Sequence, residues 1–429
     1  MSTRSFGLLV LLAVAVLAGC GGLANASDWP RFRGPNGTGV SDDKNVPLSW
    51  EGRDAALWKL PIEGAGNSSP VVSKQRIFLQ SATADQRRLL CVELNSGKLL
   101  WEKSAPGATA RTHQKNTLAS GTPAIDGTHV YVTFWDGANV SVAAFDFDGK
   151  LAWSRELGGY VSQHGAGMSP MIVGGKVVLL DDQDGSAAVI ALSCADGGIA
   201  WKSPRPAHRA CYSTPFLMER RGKPELVVAN TAGFAGYDPE SGAELWNWTW
   251  SGNKLRTVGS PVAAHGILFI SSGDGSGDRS AVAVRLNAKG ATAEPELLWE
   301  NRKLFPYVPS MLTAGDHLYF VNDTGVAACH VASTGKPVWT QRLGGNFTAS
   351  PILVDGNIYA INEQGHLFVF SAAAEFKQLG ESDVSEGVMA SPAVADSRLL
   401  IRGKSHLFCF GKPNLAAAPT RPEALRAAK

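Results

Sequence analysis

Five clusters of basic and polar residues recur along this chain of 429 residues. They are Arg111, His113 and Lys115; Gln163 and His164; His208 and Arg209; Lys254 and Arg256; and Lys303 with Tyr307. Cationic groups gathered around a concave mouth focus the field there, and could hold an anionic ligand or an acidic partner loop. Solvated charge on long polar loops is the alternative. A further cluster, Glu381, Asp383 and Glu386, is acidic.

Other chemistry finds less support. "SGDGSGDRS" (272–280) and "DDQDGS" (181–186) space Asp and Ser loosely like calcium loops, but both lack the closing acidic residue,. Asp and Gly are turn residues in any case, so both read as hairpin turns. The nine His residues form no His-x-x-x-His pair, so no metal site is expected,. No Gly-x-Ser-x-Gly elbow or phosphate loop is present, and no catalytic residue is assigned,. Cys91, Cys329 and Cys409 fall at equivalent apolar positions and read as small buried hydrophobes,.

The elements that position the basic clusters are repeats. A Gly lies four residues before a Trp in "SGKLLW", "DGKLAW", "GGIAW", "SGAELW" and "TGKPVW", which end at Trp101, Trp153, Trp201, Trp246 and Trp339. In phase with these, a Ser or Thr directly precedes Pro70, Pro123, Pro170, Pro215, Pro261, Pro351 and Pro392, and Ser310 takes the corresponding place in an eighth unit. "SPILVDGNIYAINEQGHLFVF" (350–370) shows the pattern most clearly: three strands separated by Gly-containing turns, with the Gly-x-x-x-Trp segment supplying a fourth. Four short strands per unit of about 40–50 residues is the signature of a β-propeller blade.

After Pro392 only three strands remain, and no Gly-x-x-x-Trp follows. Trp58 precedes Pro70 by the same interval that separates Trp339 from Pro351. The strand around Trp58 is therefore expected to complete the last blade, closing the ring and removing its open edge. The expectation is an all-β, eight-bladed propeller over residues 55–411, with seven blades as the alternative. An extended segment (27–54) precedes it and a disordered tail (412–429) follows. Pro is tolerated at the start of an inner strand whose edge is free, and Gly makes the turn into the outer strand. Trp58, Trp101, Trp153, Trp201, Trp246, Trp299 and Trp339 are each expected to pack on the neighbouring blade, contributing on the order of 2–3 kcal/mol.

Phe6 to Ala18 form an unbroken apolar run of 13 residues after Arg4, too short to span a bilayer. Ala24-Asn25-Ala26 fits ordinary signal peptidase, which makes residues 1–26 the signal. Leu17-Ala18-Gly19-Cys20 resembles a lipobox abutting the run, which shortens the signal to 1–19 and gives Cys20 a lipid anchor. Either reading exports the chain. Lys plus Arg (40) nearly balance Asp plus Glu (38), so charge gives no argument for nucleic acid. Five cysteines besides Cys20, an odd number without pairing rhythm, do not suggest a disulfide framework,.

"CVELNSGKLLW" (91–101), "YDPESGAELW" (237–246) and "CHVASTGKPVW" (329–339) resemble the repeat of the quinoprotein (PQQ-like) propeller family. The copy before Trp299 is degenerate and the seventh ends at Phe376 without a Trp, while "DWPRFRGPNGTGVS" (28–41) looks like the start of exported members. The resemblance implies one of two roles. One is a PQQ-dependent dehydrogenase, which would bring PQQ, calcium and a catalytic carboxylate. The other is a BamB-like exported propeller, a non-catalytic scaffold that binds envelope proteins in the periplasm or at the periplasmic face of the outer membrane, as a monomer and without a cofactor. No adjacent Cys pair or Cys-x-x-Cys-His haem site is present, which favours the scaffold. A carbohydrate or small-anion binder is a third reading. Partner capture through exposed blade edges would work by strand addition.

Overall fold

Ser350-Pro351 leads into an inner strand, Ile352–Val354, followed by Asn357–Ile361, His366–Ser371 and the outer strand Gln378–Asp383. The same four-strand antiparallel plan gives eight sheets in a ring: residues 71–106, 124–159, 171–204, 216–249, 262–302, 312–342, 352–383, and 393–410 with Trp58–Pro61. These are blades one to eight. The computed structural model describes residues 28–52, 55–286 and 294–412. The export segment with Cys20 and the tail beyond 412 lie outside the described residues.

Closure is as expected. Trp58–Pro61 pairs antiparallel with His406–Phe410, matching Trp58 to Cys409 and Pro61 to His406. The first and last parts of the ring thus share one sheet, and no end strand is left unpaired in that blade.

The Gly and Trp of the repeat turn out to be one device acting between blades. Trp58 Nε1 donates to the Leu94 carbonyl of blade one at 2.9 Å, Trp101 to Phe147 at 2.8 Å, Trp153 to Cys194 at 2.8 Å and Trp299 to Ala332 at 2.9 Å. Each bond enters the turn of the following blade, where the repeat Gly sits. A Cβ on Gly97 would lie 2.5 Å from the Trp58 ring, and one on Gly197 would lie 2.5 Å from Trp153. These glycines also have positive φ, 70° at both. The position therefore needs Gly twice over, for backbone conformation and for space.

Within blades one, two, three, five and six the Trp follows a register shift and faces a small residue of the third strand. Trp101 and Trp339 face Cys91 and Cys329; Trp153, Trp201 and Trp299 face Ala144, Ala191 and Ala283. Burial pushes the thiols of Cys91 and Cys409 up to about 12 and that of Cys329 to about 11. They are inert space-savers under an indole.

Two blades depart from this plan. Trp246 does not bridge: its Nε1 donates to Glu225 of the same blade at 2.7 Å, and its ring lies over Gly236. Blade seven has Gly380 where other blades carry Trp, opposite the larger Val369. Leu48 and Ser49 of the N-terminal segment lie over Gly380, followed along the same segment by Trp50. It stacks on Phe410 of blade eight at 3.7 Å between ring centroids, and its Nε1 reaches the Asp383 carbonyl at 3.2 Å.

The Ser and Thr before each Pro do more than start a strand. The Ser69 amide donates to Thr122 Oγ1 at 3.0 Å, Thr122 to Ser169 Oγ at 2.9 Å, Thr214 to Ser260, Ser260 to Ser310, Ser310 to Ser350, and Ser350 to Ser391. A girdle of side-chain acceptors ties blade to blade around the channel. Each bond contributes about 1 kcal/mol.

Inner strand edges were expected to be free, and in blades one, two, four and seven the N-terminal segment covers them. Trp29 bridges to Val72 of blade one, and Val40–Ser41 runs parallel to Leu353 and Val354 of blade seven. Between these points residues 28–41 cross the lower end of the channel. The Ile125 amide donates to the Pro30 carbonyl, Arg31 Nη2 donates to the Pro215 carbonyl at 2.7 Å, and Asn36 pairs with the backbone of Leu217. Arg33 donates to the carbonyls of Gly37, Thr38, Met311 and Pro351. Burial pushes both guanidinium groups down to about 9, still above neutral pH, and the carbonyls supply the negative partial charge they face,.

Candidate functional site

Antiparallel strands fix which turns share a face. Loops joining an outer strand to the next inner strand open on the upper face, together with the hairpins between second and third strands. The Gly turns and residues 28–41 occupy the lower face. At the centre of the upper face is a cavity of about 610 Å³. Phe32, carried by the crossing segment, lines it from below, and residues from all eight blades form its wall.

The ten candidate binding residues divide into two groups. His113, Lys115, His164 and Tyr307 line the cavity. Arg256 is buried immediately behind, donating from Nη1 to the His164 ring at 2.9 Å. The His113 and His164 rings lie 4.7 Å apart. Arg111, Gln163, His208 and Lys254 are exposed on the surrounding loops, and Arg209 is half-buried. These five do not line the cavity.

The charge around the cavity is more balanced than the loop sequence suggested. Lys115 Nζ is 2.7 Å from Glu363 Oε1, which also accepts from Thr348 Oγ1 at 2.7 Å. Arg279 Nε faces Asp323 Oδ2 at 3.6 Å and lies over the Tyr307 ring at 5.2 Å. Asp323 in turn accepts the backbone amides of Tyr307 and Val308 at 2.6 and 3.2 Å. Burial, then the charges of Lys115 and Arg256, hold His113 below its ordinary range; burial, Arg256 and His113 bring His164 down to about 4. Both imidazoles are neutral at pH 7, so they add no positive charge there.

Asp274, Ser276, Arg279, Asp323 and Glu363 were not among the candidates. Asp274 and its neighbours belong to "SGDGSGDRS", which is a hairpin turn as expected, with Asp274 Oδ1 accepting the Ser276 amide at 2.9 Å. That turn reaches the cavity. "NDTG" (322–325) and "NEQG" (362–365) are equivalent hairpins, and their turn chemistry was the signal that could have found Asp323 and Glu363. Of the acidic junction, Glu386 accepts the amides of Ser405 and His406 and the His406 ring, tying blade seven's loop to blade eight. Glu381 and Asp383 are exposed.

A quinone held with calcium needs carboxylates free to bind the metal. Asp323 and Glu363 are already taken up by amides, hydroxyls and cations, Asp274 by the turn it caps. Among the described residues no three His, Cys, Asp or Glu side chains are grouped to hold a metal ion. The donor set does not fit that group, and no reaction step is derived through it.

A family profile described as "Outer membrane protein assembly factor BamB" matches residues 85–341 and 296–378. A relative named outer membrane protein assembly factor BamB, from Yersinia pestis, is 24% identical over 344 residues, covering 75% of this chain and 79% of the relative. The crystal structure of BamB from Moraxella catarrhalis superposes with a TM-score of 0.60 at 14% identity, covering 84% of this chain and 98% of that one. Quinohemoprotein alcohol dehydrogenase from Comamonas testosteroni superposes with a TM-score of 0.64 at 13% identity, covering 94% of this chain and 83% of that one. At such identities the superpositions speak for the fold alone.

Proposed function

We propose, from the premise that this chain belongs to the outer membrane protein assembly factor BamB family, that it is an exported, non-catalytic scaffold. It holds other proteins in the bacterial cell envelope, in the periplasm or at the periplasmic face of the outer membrane, and acts as a monomer with no cofactor. The observation that carries this reading is the family match, which runs from the first blade to the seventh. The exposed loop residues Arg111, His208 and Lys254 offer a polar rim for a partner, and the outer strands offer backbone edges for strand addition,.

Affinity capture from envelope extracts tests the proposal directly. The full chain should retain defined envelope proteins, and the combined Arg111→Ala, His208→Ala, Lys254→Ala variant should retain them at least tenfold less. Capture of none by the wild-type chain would overturn the scaffold reading. Incubation with PQQ and calcium should give neither a bound chromophore nor dye-linked oxidation of alcohols; turnover would place the chain with the dehydrogenases instead.

A further inference from the structure

The upper cavity carries chemistry that a scaffold does not require. Its volume of about 610 Å³ falls within the range of about 300–1,000 Å³ typical of small-molecule sites. Phe32, Tyr212, Tyr307 and Met389 give it apolar surface. Around these, hydrogen-bonding groups are held in fixed positions by carboxylates and backbone carbonyls. Lys115 Nζ is oriented by Glu363, and Arg279 by Asp323 and by the carbonyls of Asp274 and Asp278 at 2.7 and 2.8 Å. Ser169, Ser310, Ser350 and Ser391 each accept one amide in the girdle, which leaves the hydroxyl proton available to donate,. Ser69 Oγ lines the cavity, is buried, and has no partner.

We propose that this cavity is a binding site for a neutral saccharide, packed against Phe32 and Tyr307 and hydrogen-bonded by the charged pairs and hydroxyls of the wall. A sugar hydroxyl both donates and accepts, so it can satisfy an ammonium or guanidinium and its paired carboxylate together. The apolar face of a pyranose matches the aromatic surfaces below. An anionic ligand or an acidic protein loop is disfavoured by the same geometry. It would meet Asp274 and Asp323 in the wall, while Lys115 and Arg279 are already matched by carboxylates,. The site stands independently of the scaffold role, since its residues differ from the exposed rim.

Titration calorimetry on the full chain with maltotriose, cellotriose and chitotriose, and with citrate and trigalacturonate as anionic controls, tests the assignment. At least one neutral trisaccharide should bind saturably with Kd at or below about 1 mM. That affinity should be unchanged between about 50 and 500 mM NaCl, because no charge is neutralised. Tyr307→Ala should weaken it at least tenfold. So should Asp274→Ala, with melting temperature as the control for loss of the turn that Asp274 caps. Silence from all three neutral sugars at about 10 mM, binding confined to the anions, or affinity indifferent to both substitutions would each overturn the proposal. Envelope-protein capture by the same variants should remain at the wild-type level, whichever way the sugar result falls.

Discussion

On the lower face, a single stretch of fourteen residues, 28–41, reaches blades one, two, four, six and seven, and nearly all its bonds go to backbone atoms. On the upper face, contacts run between side chains of neighbouring loops, and charges meet as pairs: Lys115 with Glu363, Arg279 with Asp323. The buried Arg31 and Arg33 below donate only to carbonyls, whereas the cavity cations Lys115 and Arg279 above face carboxylates. Bonds to backbone hold whatever the neighbouring side chains become, so they suit closure. Side-chain pairs can be exchanged for a ligand's groups, so they suit recognition.

The contrast can be broken most severely at Arg33. Arg33→Ala removes donors from four carbonyls in the channel floor and should cost about 3 kcal/mol or more. Arg111→Ala, on an exposed upper loop, should leave the urea midpoint unchanged,. Equal losses would erase the distinction between faces. The next effect concerns the blade junctions. Trp101→Ala should cost about 3 kcal/mol, since it takes away both packing and the bond to Phe147,. Trp246→Ala should cost at least about 1 kcal/mol less, because Trp246 bonds within its own blade,. Paired denaturation curves decide this.

The smallest effect sharpens the upper face. Burial first, then Arg256 and His113, keep the folded pKa of His164 at about 4, below the unfolded value of about 6.5. Between these values the unfolded chain binds a proton that the folded chain refuses, so stability falls as pH drops from about 6.5 to about 4. In His164→Gln, melting temperature against pH should decline less steeply across that window. An unaltered slope would mean that the imidazole is not held neutral by its neighbours.

Much of the ring was legible because it is periodic. Trp58 and Trp339 stand at equal intervals from their Pro residues, and that alone places the closing strand. The pairing of Gly with the preceding blade's Trp was half legible: the turn was expected, while the indole lying on the glycine was not, because the two residues come from different repeats. Trp50 was invisible as a blade residue, since it lies outside every copy of the motif and joins blade seven from a distance of more than three hundred residues. The basic clusters fall on the upper loops, but Glu363 and Asp323 sit in other blades' hairpins. Their proximity to Lys115 and Arg279 is a property of the closed ring.

From the sequence alone follow the strand count per unit, the order of the blades and the closing strand, because each depends on spacing along the chain. The tertiary structure alone decided that residues 28–41 floor the channel, that the girdle of Ser and Thr links successive blades, and that the cavity is charge-balanced. Each of these depends on which residues of distant repeats meet when the ring closes. Short-range periodicity records the unit; an electrostatic site assembled from eight units exists only where they converge.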